Sequence, residues 1–386
     1  MNPQTASASP STVANAPSAP LLDALVTFTA AWGPSGREGA VRDAIIAWLA
    51  AHAPTVDIVR IDALGNLFTR VGAAGEAAAG AAAGVPADDR TAPGRPARIL
   101  IAAHMDEIGV IATHVDATGF VRCSAVGGVP IADLVGCRVR FESGLEGVID
   151  AEAIARKAAA GQTATLDMLY IDVGAPDRAA CPVRVGDAAA YAGGLVWQDG
   201  GRRAMAHNMD NRAGCAALAE ALRRAAAAPG AAEVWGVFTV QEEIGLRGAR
   251  TAGFDVPCDV AIAVDITGAG DLPGAAPLAL ALGGGAAVKI SDGGMISHRG
   301  VVGWLERLAA DGHIPVQPEV LPGGTTDAAA LQLTGAGVPA GAVSIPTRHA
   351  HRPGQVIDLG DLEAAAALLA ATRIGPSGEA WYTPQD

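Results

Sequence analysis

Apolar runs that end on residues able to bind a metal recur along this chain, and that recurrence limits its fold more than any other feature. Ala97 to Ala103 is a continuous apolar run after Arg98 and delivers His104-Met105-Asp106. Val234 to Val240 leads through Gln241 to the pair Glu242-Glu243, and Asp259 to Val264 presents Asp265. Ala340 to Ile345 enters a loop, Pro346 to Pro353, that holds Arg348, His349 and His351. Short unbroken apolar runs read as strands covered on both faces, the hallmark of parallel α/β sheets. In an open sheet of that kind, residues at the carboxyl ends of separate strands meet in one crevice. A further carboxylate, Asp210, stands where an Ala-rich helix starts, the helix running from Ala213 to about Ala228 before Pro229-Gly230.

Taken singly, each residue has a structural use. An adjacent Glu pair can be a solvated turn, Asp210 and Asp327 can cap helices as Asp361 is expected to cap the last long one, and a His at a strand end can be a hydrogen-bonded core residue. Placement of five such groups at one kind of edge instead points to a metal site. Two imidazoles and three carboxylates suit zinc, cobalt or manganese and are too rich in nitrogen for a calcium or magnesium cage. Five ligands exceed what one catalytic zinc with an open position needs, whereas two ions sharing a carboxylate use them all. Asp210 is the expected bridge. Of the adjacent acids, Glu243 is read as a ligand, and Glu242, left unligated, as the base that takes a proton from water. Asp106, two positions after His104, suits a carboxylate supporting that imidazole. Residue type leaves the choice between His349 and His351 open, and His207 reads as a surface or core His.

The rest of the chain organises around this site. Residues 1–20 are Ala, Ser, Pro and Thr with neither a basic start nor an apolar core, so they read as a disordered tail and not as a targeting segment. Residues 21–108 and 200–386 read as one α/β unit, interrupted at 73–96 by an Ala/Gly/Pro stretch without periodicity, taken as a flexible insertion. Between them, 109–199 changes to short alternating runs punctuated by Gly, the pattern of a small β-barrel. The expected fold is therefore α/β, a mixed and mostly parallel sheet flanked by helices with a small inserted β-barrel. A net charge of -13 argues against nucleic-acid and anionic-membrane partners, and 4% aromatic residues are few for stacking on sugars or bases. Five cysteines, widely spaced and never in a CxxC, indicate neither a disulfide framework nor a thiolate zinc site and fit a cytoplasmic protein.

The segments AAHMDEIG (102–109), MDNRAG (209–214), FTVQEEIGLRGA (238–249), VDITGAGDLPG (264–274), GGTTDA (323–328) and IPTRHAHRPG (345–354) together resemble the M42 family of metallo-aminopeptidases, the TET or glutamyl/deblocking aminopeptidases. The resemblance runs from about residue 22 to 373. It implies His104 and Asp265 on one ion, Glu243 and His351 on the other, Asp210 between them, Glu242 as general base and Asp106 orienting His104. His349 stands where the family usually has Tyr, and the match at Pro353 favours His351 as ligand. The resemblance further implies that residues 109–199 form a dimerisation domain and that six dimers build a hollow dodecamer acting on peptides. The implied activity is removal of an N-terminal residue by water activated at Glu242. Two alternatives from the residues alone are an endoglucanase-type glycosidase, which also uses two carboxylates but on opposite faces of a sugar, and a non-catalytic assembly subunit that has kept the fold.

Overall fold

The computed structural model describes residues 16–74, 94–152, 165–275 and 277–376. The first fifteen residues of the expected tail and most of the 73–96 stretch lie outside them. Helices α1 (Ala19–Ala30) and α2 (Gly39–His52) precede strands β1 (Asp57–Ile61), β2 (Leu67–Val71) and β3 (Arg98–His104). Helix α1 begins before Leu21 because Ser18 accepts from the Leu21 amide and Pro20 sits in the first turn, where a missing N–H costs nothing.

Six short strands follow, β4 (Gly109–Val115), β5 (Val121–Val126), β6 (Arg138–Phe141), β7 (Glu146–Ala151), β8 (Leu169–Asp172) and β9 (Ala188–Tyr191). They close into a barrel in the order β4-β5-β8-β7-β6-β9, with its own core of Val110, Val139, Phe141, Ile149 and Ile171. Closure removes the exposed edges that strands this short would otherwise present.

The chain then returns to the first sheet through β10 (Val196–Gln198), β11 (Arg203–Ala206), helix α3 (Met209–Ala227), β12 (Glu233–Thr239), helix α4 (Arg247–Asp255) and β13 (Val260–Gly268). It finishes with β14 (Ala286–Ser291), helix α5 (Arg299–Asp311), β15 (Val316–Val320), helix α6 (Asp327–Leu331), β16 (Ala340–Arg348), β17 (Gln355–Asp358) and helix α7 (Leu359–Ala371). The sheet path is β1-β2-β12-β3-β13-β16-β17-β11-β10, with β14 pairing β15 and β16. Parallel pairing is concentrated in its centre, β12-β3-β13-β16, and the flanks are antiparallel. One face packs on α1, α2, α3, α5 and α7, the other on α4 and α6. Because both faces are covered, every residue of β3 and β12 is buried, which is why these strands read as unbroken apolar runs.

Three local expectations are corrected. Asp210 is not a helix cap: it lies one residue inside α3 with non-helical φ/ψ of -78° and 103°, followed by a cis peptide to Asn211. Asp361 does not cap the last helix either. Asp358 does so by accepting from the Gly360 amide, while Asp361 accepts from the amides of Gly283 and Gly285. Strands β13 and β16 run on past Asp265 and Ile345 to Gly268 and Arg348, held by pairing with each other as far as Gly268 and Thr347.

Candidate metal centre

His104 ends β3, and its parallel neighbours set the rest of the site beside it. Thr239 of β12 is its register partner, three residues before Glu242, and β13 on the other side carries Asp265. The turn after β12 is tight, with Gln241 and Leu246 both at φ of 56°. Asp106 fixes it: its fully buried carboxylate accepts from the amides of Glu242 at 2.9 Å and Glu243 at 3.2 Å and from the Ser35 hydroxyl at 2.6 Å. The nearest acceptor to His104 Nδ1 is the Asp106 carbonyl at 3.1 Å, with the Asp106 carboxylate at 3.4 Å. Asp106 therefore steadies both the imidazole and the Glu242-Glu243 turn. The sequence pattern carried only the first of these.

His104 Nε2 lies 3.1 Å from Asp210 Oδ1 and 3.4 Å from Asp265 Oδ1. His351 Nε2 lies 3.2 Å from Asp210 Oδ2 and 3.6 Å from Glu243 Oε2. Two sets of three ligand atoms thus form, His104/Asp210/Asp265 and Asp210/Glu243/His351, each set within 4.8 Å of one another and both using Asp210. Asp210 is placed by two anchors around it, its own amide donating to Gln355 Oε1 at 2.7 Å and the Asn211 side chain donating to the Val264 carbonyl at 2.9 Å. His349 is exposed and belongs to neither set. What distinguishes His351 is the barrel: its Nδ1 is 2.9 Å from the Gly128 carbonyl, which leaves Nε2 facing Asp210 and Glu243. A Cβ at Gly128 would come within 2.9 Å of that ring. The inserted barrel, given only an assembly role from sequence, therefore supplies Gly128 and Pro130 to the wall of the cleft.

The donor set passes a direct test of fit for divalent ions. Glu243 Oε1 is buried with no hydrogen-bond partner among the described residues, in a site where a carboxylate oxygen without a cation is costly. Burial, together with the charge of Asp210, pushes Glu243 up to about 8. Burial also raises Asp265, against the pull of His104. The hydrogen bond to Asp210 is the main cause pushing His351 up to about 10. For His104 burial opposes the charge, but Asp265 and Glu242 overcome it and raise this imidazole as well. Raised acids lying beside raised imidazoles are what a buried cluster of acidic groups with too little positive charge among them produces. Glu242, in neither set, is raised well above the ordinary carboxylate range by burial. Asp327, read from sequence as a cap, instead accepts from the Thr239 hydroxyl at 2.5 Å, and burial pushes its carboxyl up to about 7.

Beneath the site Arg212, fully buried, donates to the carbonyls of Phe28, Ala31 and Met105 and to Glu107, whose other oxygen meets His207 at 3.2 Å. His207 is thus a core residue. Burial would raise Glu107, but His207 and Arg212 overcome it and hold this carboxyl below its usual range. Arg212→Met leaves Glu107 buried without its guanidinium, an expected loss of about 3–5 kcal/mol read from the urea midpoint.

Comparison with known proteins gives the relatives of this chain. Residues 87–368 match the family described as M42 glutamyl aminopeptidase. A chain of Acetivibrio thermocellus, provisionally named as an aminopeptidase, is 38% identical, covering 90% of this chain and 97% of its own. An aminopeptidase structure from the archaeon Desulfurococcus kamchatkensis superposes with a TM-score of 0.80 at 34% identity, over 92% and 95% of the two chains. The TET1 peptidase of Pyrococcus horikoshii, described as able to assemble into a tetrahedron or a large octahedral shell, superposes with a TM-score of 0.76 at 28% identity, over 92% and 100%.

Proposed function

This chain belongs to the M42 glutamyl aminopeptidase family and is an aminopeptidase that depends on divalent metal, and on that premise we propose that it works with two ions, held by His104, Asp265 and Asp210 on one side and by Glu243, His351 and Asp210 on the other. The observation that carries the reading is the pair of ligand sets meeting at one carboxylate, with Glu242 beside them and in neither. Zinc or cobalt, with manganese next, fit the imidazole and carboxylate donors.

Bound there, the ions supply Lewis acidity to the scissile carbonyl and acidify water. The chain's own residues do the rest. Glu242 takes the proton of the attacking water and returns it to the leaving amine. Asp106 holds the backbone of Glu242 and Glu243, and Gly128 holds the His351 ring. The cleft, about 650 Å³, accepts the end of a peptide. Carboxylates around the ligands favour the substrate's α-ammonium, which makes the cleavage exopeptidic.

Chelation is expected to abolish hydrolysis of aminoacyl anilides, and zinc, cobalt or manganese to restore it. Activity surviving exhaustive chelation would remove the metal reading. Asp106→Ala, which frees the amides of Glu242 and Glu243, should lower metal affinity or turnover by roughly 10–100-fold. Metal titration of activity measures both.

By likeness to the assembling TET1 peptidase, this protein is read as a homo-oligomer, with the barrel of residues 109–199 as the dimerisation unit and dimers building a dodecamer. Sedimentation of the intact chain tests it. The five cysteines, widely spaced and never in a CxxC, support a cytoplasmic location, and among the described residues no helix is long and apolar enough to cross a membrane.

A further inference from the structure

The helix that follows the Glu242-Glu243 turn, α4, carries Leu246, Arg250 and Phe254 at intervals of four, so the three share one of its faces. Leu246 is the N-cap, and its amide donates to the Glu242 carbonyl at 2.9 Å, which ties this face to the turn that holds the base. Ala329 and Ala330 of α6, with Leu333 just beyond its end, line the same groove, a space of about 470 Å³. Gly253 lets α4 come close to this second segment, since a Cβ there would lie 2.4 Å from the Thr334 methyl. Phe254 is 69% exposed and Leu333 75%. One exposed apolar residue needs no explanation, but two lining one groove mark a binding surface. The groove is continuous with the metal cleft, because Leu246 and Thr325 line both.

We propose that this groove holds the part of the peptide that follows the bond being cut, and that it selects a bulky apolar side chain there. The inference rests on the aminopeptidase reading and adds a preference downstream of the first residue. Its direction follows from the base. Glu242 returns its proton to the leaving amine, so the chain attached to that amine lies beside the Glu242 turn, and Leu246 of that turn is where cleft and groove join. The first residue stays in the cleft, its α-ammonium among the carboxylates of the ligand sets. A groove walled by exposed side chains suits a chain that continues into solvent. Its chemistry follows from the lining. Phe254, Leu333, Ala329 and Ala330 offer apolar surface, and the Thr334 hydroxyl already donates to the Leu331 carbonyl at 2.8 Å. Among the described residues of the lining, Arg250 is the only charged one. A substrate phenylalanine or leucine buries its surface against Phe254 and Leu333. A lysine would meet Arg250 instead, and a glycine would leave the groove unfilled.

The test is kcat/KM on the metal-loaded protein for tetrapeptides that share one first residue, the one whose anilide is cut fastest. Glycines follow it, with phenylalanine or lysine placed at position two, three or four. The amide of the same first residue, whose leaving ammonia stops short of the groove, is the reference in every preparation. Phenylalanine at one of these positions is expected to raise kcat/KM at least about tenfold over glycine, and lysine at that position not at all. In Phe254→Ser/Leu333→Asn the phenylalanine-to-glycine ratio falls towards one. Both side chains are exposed, so the double variant is expected to fold, and each ratio is internal to one preparation. A wild-type ratio near one at all three positions, a preference for lysine, or a ratio unchanged in the variant overturns the inference while leaving the aminopeptidase reading intact. A variant that sediments differently with its ratio unchanged also overturns it, and assigns the groove to a second copy of the chain. No hydrolysis of any peptide or of the amide overturns both readings.

Discussion

Glu242→Gln should keep its metal and lose turnover by roughly 10²–10⁴-fold, the range supplied by a positioned acid/base. The substitution keeps the size and the backbone of the turn, since Asp106 holds the Glu242 amide and not its side chain. It also leaves both ligand sets complete. A loss in kcat with KM little changed would mark a group that acts in the transition state. A variant retaining more than about a tenth of wild-type turnover would mean that the base has been misassigned.

Asp210→Asn should be still more damaging, because one carboxylate serves both ligand sets, with Oδ1 3.1 Å from His104 and Oδ2 3.2 Å from His351. An amide keeps the shape but loses the charge and one acceptor. Metal content is expected to fall at both positions together, by more than the roughly 10–100-fold in affinity that follows loss of an outer partner. Asp265→Asn should weaken the His104 side alone. Metal analysis after dialysis against a weak chelator separates the cases. Equal effects of the two substitutions on both ions would deny Asp210 its shared position. Folding is checked by the same denaturant midpoint used for Arg212→Met.

The parts of this architecture that the sequence makes legible are those where one physical cause leaves a local trace. Strands β3, β12, β13 and β16 are buried on both faces, so they appear as apolar runs, and the groups that follow them meet at one edge of the sheet. The parts that are hidden depend on contacts distant in sequence. His349 and His351 both sit at φ of 61° and differ by two positions, and the choice between them is made by a carbonyl of Gly128, more than two hundred residues earlier. Asp361 and Asp358 both look like caps of the last helix, and Asp361 is claimed instead by the amides around Gly284. Asp106 looks like a partner for a neighbouring imidazole, yet most of its hydrogen bonds go to a turn 136 and 137 residues away. Strands β10, β11 and β17 are three or four residues long and antiparallel, too short to leave a periodic signal. The buried Lys289–Glu319 pair is invisible for the same reason, because only the pairing of β14 with β15 brings the two side chains together.

The most direct measurement is an anomalous difference map, recorded at the zinc edge, from crystals of the zinc-loaded protein. Two peaks per chain are expected, one bonded to His104 and Asp265, the other to Glu243 and His351, with an Asp210 oxygen on each. A single peak, or two peaks that share no oxygen-bearing residue, would contradict the account.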